Sequence, residues 1–143
     1  MFERDYLVRM LVDLAAAIRR ALDRSRDAKD LEGACETLEN SITNATDLDG
    51  AVLMTLSPES IASVLQVANT DPRIVIYVAH SMQLQAHYLR KLNNEAVAEL
   101  RDKQAHALAK AYKFDLPQNI DEVDGELFND EEFLKSIEEL CEA

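Results

Sequence analysis

Apolar side chains recur along this chain at the three- and four-residue spacing of a helix face, most densely across 71–114. That stretch reads as two long helices folded back on each other. Asp71-Pro72 is a helix start: the aspartate accepts bonds from the first unpaired amides, and proline fits the first helical position, where an N–H has no partner. From there to Leu92, residues Ile74, Val75, Val78, Ala79, Met82, Ala86, Leu89 and Leu92 share one broad face, which Tyr77, Ser81, Leu84 and Tyr88 widen. A narrow polar stripe remains, made of His80, Gln83, His87, Arg90 and Lys91, with Ile76 among them. A helix this apolar is predicted to be the central one. Asn93-Asn94 ends it, since asparagine tolerates the left-handed conformation.

The next helix, Glu95 to Tyr112, is more clearly two-sided. Val97, Leu100, Gln104, Ala105, Leu108, Ala111 and Tyr112 face inward; Glu95, Glu99, Asp102, Lys103, His106, Lys110 and Lys113 face water. Alanines on the inner side allow close approach, and the short turn makes the pair antiparallel.

The same periodicity places a first helix over about Glu3–Arg24, buried through Leu7, Met10, Leu11, Leu14, Ala15, Ile18, Ala21 and Leu22. A second covers roughly Leu31–Ala45, with Leu31, Cys35, Leu38, Ile42 and Ala45 on a narrow stripe. Residues 47–50 form a turn, and Ala51–Leu56 is a helical turn or an extended link. Ser57 caps a third helix with Pro58 at its first position, Leu56 and Ile61 stapling the start and Ile61, Val64, Leu65 and Ala68 facing inward. After Phe114 an acidic loop leads to a last helix, capped by Asn129 with Glu132 at the capping-box position and faced by Phe133, Leu134, Ile137, Leu140 and Cys141. The expected fold is all-α: five or six antiparallel helices in one domain over 1–143, as a compact bundle or a short tetratricopeptide-like array. Its segment 115–143 should pack on the body over a binding face.

Composition narrows the class. Low glycine and proline with 48% hydrophobic residues fit an ordered helical domain long enough for a real core. No uninterrupted apolar run is long enough to span a membrane, and the charged opening lacks a signal peptide's apolar core, so a cytoplasmic protein is expected. The net charge of −12 argues against nucleic-acid phosphate as a partner. Most of that charge is terminal: residues 1–29 carry +2 and residues 115–143 carry −10. The arginines at 19, 20, 24 and 26 are explained by the preference of cations for a helix C-terminus.

Candidate chemistry is sparse. His80 and His87 lie two turns apart on one stripe, roughly 10 Å along the axis, too far to share a metal unaided. Glu99, Asp102 and His106 have ligand-like spacing, but Glu99–Lys103 and Asp102–His106 read equally as ion pairs on a solvated face. Neither glycine-centred acidic turn, at Gly50 or at Gly125, supplies the acidic first residue of a calcium loop. Cys35 and Cys141 read as buried thiols. No catalytic, cofactor or metal residue is assigned. The remaining small-molecule, metal-binding or enzymatic reading would use His80, His87 or His106.

Two resemblances add to this. The opening Met1-Phe-Glu-Arg-Asp-Tyr-Leu-Val-Arg-Met10 and the Leu56-Ser-Pro-Glu59 helix start resemble an uncharacterised bacterial family of small all-helical proteins, a domain of unknown function. That likeness carries no activity or site with it. Tyr88-Leu-Arg-Lys-Leu-Asn-Asn-Glu-Ala96 resembles the turn of a tetratricopeptide repeat, without its usual glycine, and no second copy follows at the repeat interval. The resemblance implies a helical hairpin that presents a face to a protein partner. A non-enzymatic interaction module, binding another protein or its own copy, is therefore the expected function.

Overall fold

The computed structural model describes residues 2–26 and 29–116. The expected acidic loop and terminal helix, the Gly125 turn and Cys141 lie outside the described residues. Six helices and no strand are present among the described residues: α1 (Phe2–Arg26), α2 (Leu31–Thr46), α3 (Gly50–Leu53), α4 (Pro58–Val67), α5 (Pro72–Lys91) and α6 (Glu95–Tyr112). The all-α expectation holds, with α3 only a single turn.

Each boundary follows from local chemistry. Asp30 Oδ1 accepts the Gly33 amide at 2.9 Å to start α2, and Asp49 and Asp71 cap α3 and α5 in the same manner. Ser57 Oγ accepts the Ser60 amide at 3.2 Å, with Pro58 opening α4. Left-handed residues close the other ends: Asp47, Asn69, Asn93 and Lys113 all have φ near +60°. Asn93 takes the conformation expected of it. At the α2–α3 corner, a Cβ on Gly50 would come within 2.2 Å of Thr43 Oγ1 and 2.9 Å of the Glu39 carbonyl. The chains approach that closely because Thr43 Oγ1 accepts the Gly50 amide at 2.7 Å.

Two hairpins, α1–α2 and α5–α6, are joined by α2 against α5, while α4 packs on α6 and α1 also reaches α5. The helix α5 is thus central, as its pattern predicts. Burial there goes further than the pattern suggests. In the polar stripe, His80 and Gln83 are buried and His87 is half-buried, and Arg90 and Lys91 at the end are exposed. Conversely, Leu92 is exposed and Leu89 half-buried, because the broad apolar face runs past the end of its cover. In α4, Ala62 is buried and Ala68 exposed, the helix having closed one residue earlier. The inner face of α1 is nearly as expected, with Leu11, Leu14, Ile18, Ala21 and Leu22 forming one cluster with Leu38 and Ile42 of α2. No helix among the described residues is long and apolar enough to cross a membrane.

Candidate functional site

Three of the buried polar side chains, Gln85, Arg101 and Gln104, form one hydrogen-bonded belt. From α6, Arg101 donates through Nε to Gln85 Oε1 at 2.8 Å, and through Nη1 to the Met54 carbonyl at 2.8 Å and Gln104 Oε1 at 3.1 Å. Gln104 Nε2 donates to the carbonyls of Met54 and Leu56 at 2.9 and 2.8 Å. Gln85 Nε2 donates to the Cys35 carbonyl at 3.2 Å. The belt thereby ties the α3–α4 corner and α2 to the α5–α6 hairpin, satisfying carbonyls that the end of α3 would otherwise bury unpaired. Arg101 is 9% exposed and meets no carboxylate of the described residues within ion-pair distance; burial pushes its pKa down, with Glu39 and Cys35 acting the other way. Sequence spacing places Gln104 inside but leaves Arg101 unassigned, although Arg101 falls between Val97 and Leu108 on the same arc.

The histidines are distributed through three environments. His80 lies in the core, where burial holds its imidazole down at about 4, leaving it neutral at pH 7. His87 is half-buried with its ring beside Tyr88, centroids 5.8 Å apart. His106 is exposed on α6. Its expected partner Asp102 instead binds Arg90 Nη2, while Arg90 Nε reaches Glu95 at 3.2 Å, so the guanidinium pins the α5–α6 turn. Glu99 and Lys103 pair at 3.3 Å as their spacing predicts. No group of three or more histidine, cysteine or acidic side chains among the described residues is placed to hold a metal ion.

Recesses open along helix seams of the described residues. One, about 430 Å³, lies over Cys35 between α2 and α5, rimmed by Glu32, Glu36 and Glu39. Burial pushes the Cys35 thiol up to about 11, which keeps it protonated and poorly nucleophilic near neutrality. Another, about 360 Å³, runs between α1 and α2 and is walled by Asp13 and Arg20 on one side and Asn40 and Asn44 on the other. Asp13 and Arg20 continue onto the outer face of α1, opposite the core, where Arg9 and Asp23 are also exposed. Tyr6 and Val12 stand out on that helix, 63% and 49% exposed. Arrangements of this kind suit contact with another surface, because apolar groups are offered beside charges that no described side chain pairs.

Compared with models of protein families, with curated proteins and with solved structures, the chain matches none.

Proposed function

We propose that the chain is a cytoplasmic, non-enzymatic interaction module that docks a protein through the outer face of α1 and the adjoining α1–α2 recess. The observation that carries this reading is the contrast along α1. Its inner face is closed by core packing, yet Tyr6 and Val12 stay in water on the far side, beside an open polar trough. A helix needs only its inner stripe to hold the fold, so exposed large apolar groups on the opposite side are available for a second contact. The resemblance to a tetratricopeptide hairpin points to the same class of work. By the charge of −12, the partner is a protein surface rather than nucleic acid.

The test is capture from cells with tagged protein, comparing the natural chain with a Tyr6→Glu/Val12→Glu variant. Burying two new carboxylates at an interface is costly, so the variant should lose the bound protein while its melting temperature stays close to the parent's. Equal recovery with both proteins would remove α1 as the docking face.

A further inference from the structure

We propose that the occupant of the α1 face is the same face of a second copy, packed antiparallel about a two-fold axis beside Ala16. This rests on α1 being a docking helix and names what it docks. The charges supply the reason. Along the outer face the order is Arg9, Asp13, then Ala16, then Arg20, Asp23. Read from either end, the signs alternate so that the reversed series is the complement of the forward one.

Superposed antiparallel, Arg9 of each chain meets Asp23 of the other, the two lying seven positions to either side of Ala16. Asp13 and Arg20 lie three and four positions from it, and so pair within one residue's rise, about 1.5 Å. A two-fold axis duplicates each contact, giving four ion pairs from two. Parallel pairing would instead set Arg9 on Arg9 and Asp13 on Asp13, so electrostatics selects one orientation.

None of these four side chains makes an ion pair or side-chain hydrogen bond within the described chain. Alanine at the crossing point is small enough for close helix approach, and Ala16 is only half-buried by its own fold. Val12, one turn away, falls against the aliphatic stem of the second copy's Arg20, which gives its exposed surface a cover. Such an interface is narrow and rich in charge, so it produces a weak, concentration-dependent dimer.

The test is sedimentation equilibrium of four samples from about 10 μM to about 1 mM, the range in which weak dimers form. The natural chain should shift from monomer to dimer. Asp13→Arg sets two arginines against each other twice, and Arg20→Asp does the same with two aspartates; each variant should weaken association by about tenfold or more. Mixed in equal amounts, the two variants restore both pairs, and they carry the same total charge as the natural dimer. The mixture should therefore associate like the natural chain although neither component does. A natural chain that stays monomeric at the top concentration, or a mixture that stays monomeric, overturns the dimer. If Asp13→Arg then still abolishes capture of a cellular protein, the docking reading of α1 survives with a different occupant; if capture is unchanged, that reading falls as well.

Discussion

The belt around Arg101 and the outer face of α1 are built from the same kinds of side chain and put to opposite uses. In the belt, Gln85, Arg101 and Gln104 have left water and direct their hydrogen bonds to one another and to the carbonyls of Cys35, Met54 and Leu56. On α1, Arg9, Asp13, Arg20 and Asp23 remain solvated and make no such bonds within the described chain. Desolvation enforces partners in the first region, and its absence leaves the second open to another molecule. A polar residue at the centre of an apolar arc therefore reports on the fold. One on the far side reports on what the surface can meet.

The sharpest way to break that comparison is to remove Arg101. In Arg101→Ala, Gln85 Oε1 and Gln104 Oε1 lose their donor and Met54 keeps only its bond from Gln104, while the stem leaves a void. Unfolding in urea should show a loss of about 3–4 kcal/mol. Asp13→Ala on α1 should change stability by less than about 0.5 kcal/mol. Equal costs at the two positions would mean that the belt holds nothing together.

A second difference concerns acid. His80 is buried with its folded pKa near 4, below the ordinary 6.5, so the unfolded chain binds the proton first. Stability contributed by keeping this ring neutral is complete above about 6.5 and is lost as the pH falls toward 4, by about 3 kcal/mol in all. Asp71 acts lower down. Its hydrogen bond from Arg73 holds the carboxyl below 3.8, so its contribution is present above that value and disappears only under stronger acid. Urea titrations at pH 7, 5 and 4 should give a steep fall in the natural chain and a shallower one in His80→Gln. Parallel curves would place the acid sensitivity elsewhere.

The belt also depends on where α3 delivers the Met54 carbonyl, and Gly50 sets that corner. Gly50→Ala drives a methyl against Thr43 Oγ1 and the Glu39 carbonyl, one of them backbone that cannot swing away. The expected cost is about 2 kcal/mol by chemical denaturation, as for other overpacked sites. Relief by a second change, Thr43→Ala, should be partial, because the carbonyl contact remains. Full relief would show that the side chain alone defines the corner.

Much of this architecture was legible from spacing and caps. Asp71-Pro72, Ser57-Pro58 and Asn93 mark boundaries through interactions confined to a few neighbouring residues, which sequence displays directly. What spacing could not supply was the fate of polar residues on α5. His80 and Gln83 read as a stripe for water because their side chains are polar, whereas the middle of a central helix is covered on all its faces. Arg101 was hidden for the related reason that a charge is discounted as core, even at the middle of an apolar arc. Its acceptors, the Met54 carbonyl and Gln85, lie far away in sequence, and only the folded chain brings them together. On α1 the charges off the buried stripe stand in the sequence, but their availability does not, since pairing with distant elements is decided only by the fold.

Arg90 lies between the two regimes and gives the finest test of the distinction. Its guanidinium is partly exposed, and it reaches both Glu95 across the turn and Asp102 on α6, which together raise its pKa, the bond from Asp102 contributing most. Water competes for both contacts, so the coupling must be well below what full burial would give. A double-mutant cycle on Arg90→Ala and Asp102→Ala should return about 0.5 kcal/mol at low salt, shrinking as ionic strength rises. The same cycle on Arg9 and Asp13 in the monomer should return nearly zero, because those charges are held by solvent. Were the Arg90 coupling as large and as salt-insensitive as the loss at Arg101, exposure would be a poor guide to which polar contacts hold this fold. A coupling that fades with salt places Arg90 with the surface, and leaves the buried belt as the polar structure on which the hairpin depends.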